Sequence, residues 1–225
     1  MFAPYSANHA TSSPHLPRQI PVECLGIVGF HRTPFVRAHL ADVQSPTLLG
    51  RIDDLPGRVS DGNDLAAALG LSIDLLRRKD RHHLKRLWLL TDGNTESPAE
   101  ELLSLADQAS AAFININAIP VGMPYDGKLL ESIVRRTHNG KYVSPQSFLR
   151  ETDEVVAQDY RCRWEPGHHR CEAAILCVDL SAQSLRRAES SWAFAGGRVI
   201  DQTVEICRRL IDLKRRVHGV EQTAG

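Results

Sequence analysis

The chain carries no excess charge of either sign: 27 Lys and Arg stand against 27 Asp and Glu. No global field therefore draws it to nucleic acid or to an anionic membrane. It lacks any apolar stretch near the roughly 18 residues that a membrane-spanning helix requires. Its first residues lack the basic segment and following apolar run of a secretory leader. Cysteine is scarce and odd in number, at five. Cys24 and Cys177 fall in apolar runs and Cys207 in a helical pattern, which suits buried thiols in a reducing, cytoplasmic compartment. Sharp catalytic signatures are missing as well. There is no Gly-x-Ser-x-Gly elbow, no Gly-x-x-x-x-Gly-Lys-Ser/Thr loop and no Gly-x-Gly-x-x-Gly after a strand. The basic runs Arg77-Arg-Lys79 and Lys214-Arg-Arg216 lie on helical patterns and read as solvated faces.

What is present is an alternation of strands and helices in a chain long enough for one domain with appendages. Residues 1–19, rich in Ser, Pro and His, read as a mobile tail. Val22 to Phe30 reads as a strand, with Pro34 to Val36 as a short extended piece beside it. Asp61-Gly-Asn-Asp64 offers helix caps ahead of Leu65, Ala68, Leu69, Ser72 and Leu76 at helical spacing. A strand follows at Leu87–Leu90. Ser97-Pro98-Ala-Glu-Glu101 then predicts a helix to about Ala109, with Ser97 as its cap and Pro98 at its first position. Phe113 to Val121 predicts a strand, Leu129 to Val134 a helix, Gly140–Val143 a short strand and Pro145 to about Ala157 a helix. After a predicted loop or hairpin come a strand at Ala173–Val178 and a long helix from about Gly197. Val199, Thr203, Ile206, Leu210, Leu213 and Val217 share one face of that helix. The pattern predicts an α/β fold of three layers, with a mostly parallel sheet and helices on both faces.

Two of these strands end alike. Ala173-Ala-Ile-Leu-Cys-Val178 breaks at Asp179-Leu-Ser-Ala-Gln-Ser184, and Leu87-Trp-Leu-Leu90 breaks at Thr91-Asp92-Gly93. Ligands of open parallel sheets bind at the carboxyl ends of the strands. Taken alone, Asp92 before Gly93 is an ordinary turn residue, and Asp179 with Ser181 an ordinary loop cap. Together they point to one oxygen-rich site built from distant parts of the chain.

In order and content, residues 22–157 resemble a von Willebrand factor A domain, the integrin I-domain fold, that lacks its first strand and helix. Leu25-Gly-Ile-Val-Gly-Phe30 is similar to that family's second strand, and Val59-Ser-Asp-Gly-Asn-Asp-Leu-Ala-Ala-Ala-Leu69 to its Gly-Gly-Thr-Asp/Asn segment. Leu89-Leu-Thr-Asp-Gly93 resembles its fourth-strand motif, and Phe113 to Gly122 its next strand. The missing opening, Asp-x-Ser-x-Ser after a buried strand, resembles Asp179-Leu-Ser181-Ala-Gln183-Ser184. The resemblance implies a circularly permuted domain. Residues 20–157 would form its main part, 158–172 a linker or hairpin, 173–218 the displaced first strand and helix, and 219–225 a tail. Cutting at a loop is physically tolerable, because domain termini often lie close in space. Exchange of the C-terminal strand and helix between two copies, giving a swapped homodimer, is the alternative arrangement.

The resemblance also implies a metal-ion-dependent adhesion site for Mg²⁺ or Mn²⁺, ions that favour hard oxygen ligands. By position, Asp179 would act mainly through a water and Ser181 directly, and Asp92 would supply the last carboxylate. The family's second Ser falls on Gln183, with Ser184 one residue further, and its Thr falls on Asn63, with Asp64 beside it as a source of charge. Two outcomes stand open: a working metal site, or polar groups that only hydrogen-bond to one another.

Cys162, His168, His169 and Cys171 are zinc-ligand types, but their spacing fits no usual zinc pattern, so zinc is not expected there. Three functions follow. One is an adaptor that docks a partner protein at the sheet edge through a bridging Mg²⁺; the resemblance points to AAA+ ATPase systems as partners. Another is a metal-dependent hydrolase or phosphotransferase using Asp179 and Asp92. The last is a metal-free scaffold. Fold does not choose among them.

Overall fold

Apolar runs bounded by turn residues become the strands of a single sheet in the computed structural model, which describes residues 23–79, 84–144, 172–187 and 197–223. The strands are β1 (Cys24–Phe30), β2 (Phe35–Asp42), β3 (Leu84–Thr91), β4 (Ile114–Pro120) and β5 (Glu172–Asp179), in the spatial order β2-β1-β5-β3-β4. Only β2 runs antiparallel to its neighbour. The helices are α1 (Thr47–Asp53), α2 (Leu65–Arg77), α3 (Ala99–Ala111), α4 (Gly127–Arg135) and α5 (Val199–Thr223).

Strand β5, next to last in the chain, occupies the centre. It pairs in parallel with β1 from Cys24↔Ala173 to Phe30↔Asp179, and with β3 from Leu84↔Glu172 to Leu90↔Val178. All eight of its residues are buried, as expected of a parallel strand covered on both faces. Alternation along it divides the core. Ala174, Leu176 and Val178 pack with α1 and α5, and Ala173, Ile175 and Cys177 with α2, α3 and α4. Burial of each Leu or Ile side chain contributes about 1.5–3 kcal/mol. The result is three layers, helix on sheet on helix.

The predicted α/β class is what the chain adopts, with differences in detail. The extended piece near Pro34 is a full eight-residue edge strand that continues to Asp42. Helix α1 has no counterpart in the sequence reading. It is only seven residues long, with Gly50 inside it, too short to establish a period. Of the short strand at Gly140–Val143, Tyr142 forms a single parallel bridge to Ala118. Ser97 does not cap α3. Its hydroxyl accepts from the Ala66 N–H of α2 at 3.0 Å and donates to Asp64 Oδ1 at 3.2 Å, while Pro98 stands at the cap of α3. The tail, the helix expected at Pro145–Ala157 and the hairpin carrying Cys162, His168, His169 and Cys171 lie outside the described residues.

At the amino edge of the sheet, a buried ionic group ties α5 to the centre. Lys214 Nζ donates to Glu172 Oε1, and Arg86 Nη1 of β3 lies 3.7 Å from the same oxygen. The Arg86 guanidinium also stands 5.8 Å from the Trp88 ring centre. Burial pushes the Glu172 carboxyl upward, but the charges of Arg86 and Lys214 outweigh it and hold the carboxyl below its ordinary value of 4.5. A depressed carboxylate contributes stability above the unfolded value and loses it as pH falls through the folded one.

Glu172→Gln is therefore expected to cost about 3–5 kcal/mol at neutral pH, because it removes the buried carboxylate that faces Lys214 and Arg86. In urea titrations, the gap between variant and wild type should close as pH drops below 4.5. A gap that stays constant across that range would detach the stability from the ionised carboxylate. Since β5 pairs with strands of its own chain, light scattering should report a monomer near 25.0 kDa. A dimer that dissociates only on unfolding would favour strand exchange.

Candidate functional site at the carboxyl edge of the sheet

Strand register brings the ends of β1, β5 and β3 level: Phe30 lies opposite Asp179, and Leu90 opposite Val178. The Leu180 N–H continues the ladder by donating to Phe30 O at 2.7 Å, and Ser60 N–H donates to Leu180 O at 3.0 Å. These bonds hold the end of β1 and the segment before α2 beside the turn after β5.

Asp179, the last residue of β5, is 3% exposed. Its Oδ2 accepts from the Thr91 hydroxyl at 2.7 Å and from Asn63 Nδ2 at 2.9 Å. Its Oδ1 accepts from the Ser181 N–H at 2.8 Å. One carboxylate thus joins the loop before α2, the end of β3 and the turn after β5. Burial pushes this carboxyl above its ordinary value of 3.8, opposed by the Ser181 N–H and Thr91 bonds and reinforced by the charge of Asp92. Asp92, half-buried, is also raised by burial, against hydrogen bonds from Asn94 and the charge of Arg186.

Three residues hold the turn after β3. Thr91 Oγ1 accepts from the Gly93 N–H at 3.1 Å, and Asp92 Oδ1 from the Asn94 N–H at 2.8 Å. Gly93 has φ of +76°, and a Cβ there would stand 3.1 Å from both Asp126 O and Leu130 Cγ, so a side chain would be strained by conformation and crowded.

The structure sorts the seven residues singled out from the sequence. Asp92, Asp179, Ser181, Gln183 and Ser184 line a cavity of about 190 Å³, together with Arg186. Asn63 lines a neighbouring cavity of about 500 Å³, which shares Ser181 and Gln183 with the first. Asp64 lines neither; its Oδ1 accepts from the Ala67 N–H at 2.9 Å and caps α2. The Ser184 hydroxyl donates to Ser181 O at 2.7 Å and closes a single 3₁₀ turn. Gln183 is exposed at the rim between the cavities.

Within this group of residues, two buried oxygens make no hydrogen bond. The Ser181 hydroxyl stands near Asp179, close enough to help lower its pKa, yet makes no hydrogen bond of normal geometry. Asn63 Oδ1 has none either. An unmet buried polar atom costs about 1–3 kcal/mol, so both are groups that a further partner would stabilise. Among the described residues, no three His, Cys, Asp or Glu side chains form a metal-ligand group. The oxygen donors that do converge are two carboxylates, a hydroxyl and an amide, which suit a hard cation rather than zinc.

Thr91 and Arg186 escaped the sequence reading. Thr91 stands inside the Leu-Thr-Asp-Gly motif, and a hydroxyl ending an apolar strand was a usable signal. Arg186 had none, since only the turn after β5 carries it to the cavity. The aromatic residues Trp164, Trp192 and Phe194, and the His82-His83 pair, lie outside the described residues.

Thr91→Val removes the donor to Asp179 and the acceptor for Gly93 in one step. It should cost about 1–3 kcal/mol in chemical denaturation, with Thr91→Ser retaining most of that. Equal midpoints for the Val variant and wild type would show that the hydroxyl does not anchor the carboxylate.

No family model matches the chain, and a search of curated proteins finds no match. Among solved structures, the chain is similar to an aerotolerance-related membrane protein from Bacteroides fragilis NCTC 9343, determined with multiple mutations to serines. The identity is 16% and the TM-score 0.45, over 54% of this chain and 71% of that one.

Proposed function

We propose that the carboxyl edge of the sheet is a docking face for a partner protein, in a circularly permuted domain of von Willebrand factor A type. In this reading, β5 and α5 are the family's opening strand and helix, displaced to the end of the chain. The central place of β5 and the junction of residue 179 with residues 63 and 91 support it.

The observation that carries the docking reading is the Ser181 hydroxyl, buried without a hydrogen bond in the same cavity as Asp92 and Asp179. Mg²⁺ or Mn²⁺ would be held there by Ser181, Asp92 and Asp179, with the Gln183 amide oxygen within the same cavity. When bound, such an ion supplies a positive point that accepts a carboxylate from the partner. Asp179 orients the site through its three accepted hydrogen bonds, and the turn at Gly93 aims Asp92.

A second reading rests on Arg186. Its guanidinium is the basic group among the described residues lining this cavity, and its charge already acts on Asp92. An adaptor that recognises an acidic side chain through Arg186 alone, without metal, uses the same face.

Calorimetric titration of Mg²⁺ and Mn²⁺ into the full chain separates the two. The metal reading expects saturable binding that weakens at least about tenfold in Asp92→Asn and in Ser181→Ala, since even an outer-shell change costs that much. Circular dichroism should show both variants folded. Absence of binding by the wild type would sink the metal reading and leave the Arg186 one. Binding that both variants retain would place the ion elsewhere.

A further inference from the structure

Strand β4 ends the order of the sheet, and residues 137–143 form a strap along its outer side. The Ile116 N–H donates to Thr137 Oγ1 at 3.2 Å, the Asn139 N–H to Asn115 Oδ1 at 3.4 Å and the Lys141 N–H to Asn117 Oδ1 at 2.9 Å. The Ala118 N–H donates to Lys141 O, and the Val143 N–H to Ala118 O, both at 2.9 Å. Within this strap stands the one Asn-Gly pair of the chain, Asn139-Gly140. Asn139 is exposed, and among the described residues neither its side-chain amide nor the Gly140 N–H makes a hydrogen bond. By contrast, Asn94 Nδ2 donates to Pro124 O and Asn63 Nδ2 to Asp179, while Asn115 and Asn117 are buried in β4. A side chain at position 140 has no room: a Cβ there would stand 2.5 Å from Ile116 O, Thr137 Oγ1 and Val134 O.

Glycine after asparagine leaves its main-chain nitrogen unshielded by a side chain, so that nitrogen can reach the neighbouring carboxamide. We infer that Asn139-Gly140 is a site of self-modification, and that its product opens the β4 edge. Gly140 N gives its proton to solvent base and bonds to Asn139 Cγ. The Cγ–Nδ2 bond breaks, and the nitrogen takes a proton and leaves as ammonia. Water then opens the five-membered succinimide. Attack at Cγ leaves an aspartate; attack at the main-chain carbonyl leaves an isoaspartate, with the chain routed through Cγ. The net change is one amide and one water for one carboxylic acid and one ammonia, with no oxidant or cofactor. The isoaspartyl form carries one more main-chain carbon before Gly140. Closed in by three oxygens, Gly140 has no slack to absorb it. The bonds just beyond, between Ala118 and Lys141 and between Val143 and Ala118, then give way. An uncovered edge strand presents unpaired backbone groups to other chains.

The test is to age the full chain at mildly alkaline pH beside the free peptide Thr-His-Asn-Gly-Lys, the tryptic fragment that Arg136 and Lys141 delimit. Mass spectrometry should show that fragment gaining one mass unit, with more isoaspartyl than aspartyl product. Its rate in the chain should be at least about a tenth of the peptide's, since an exposed strap opens at small cost. Asn63, Asn94, Asn115 and Asn117 should stay unchanged. In the aged chain, NMR should show the Ala118 and Val143 amides exchanging at least about tenfold faster, because their strap bonds are lost. Asn139→Gln, aged alike, should keep both slow. So should fresh Asn139→Asp, which adds the charge without lengthening the chain. An intact Asn139 once the peptide has converted would overturn the assignment, as would conversion spread evenly over the asparagines. Exchange unchanged in the aged chain, or equally fast in fresh Asn139→Asp, would overturn the opening of the edge.

Discussion

Parallel pairing of β5 between β1 and β3 is the constraint on which the rest depends. A central strand satisfies both rows of its backbone groups only if its neighbours present theirs in register, and a slip of one residue would exchange the two buried faces. With Ile175 and Cys177 toward α2–α4, and Leu176 and Val178 toward α1 and α5, no slip is tolerable. The ionic group of Glu172, Arg86 and Lys214 fixes one end of that strand and the hydrogen bonds to Asp179 fix the other. Register, core and site are therefore one decision made by eight residues.

That decision explains why Asp179 is both buried and satisfied. A carboxylate at the end of a central strand loses its water and must find donors in the flanking loops. Thr91 arrives from β3, Asn63 from the loop before α2 and the Ser181 N–H from its own turn. Segments far apart in the chain are held at one point by a group that costs stability when it is left unmet. The same burial that raises Asp179 and Asp92 makes the negative charge of the cavity hard to sustain alone. The charge of Arg186 opposes this at Asp92.

The fold class was legible because β1, β3, β4 and β5 are apolar runs ending in turn residues, and α2 and α5 have unbroken periods. β2 was half seen, since an edge strand of mixed burial such as Phe35–Asp42 shows no continuous apolar run. Ser97 was misplaced because a cap motif looks the same from sequence whichever helix its hydroxyl serves. Here the loop returns it to α2, a tertiary fact. At the site, the strand-end residues Asp92, Asp179 and Ser181 could be named from the pattern. What could not be read was the direction of each side chain. Asp64 and Asn63 are adjacent, yet one caps a helix and the other donates to Asp179.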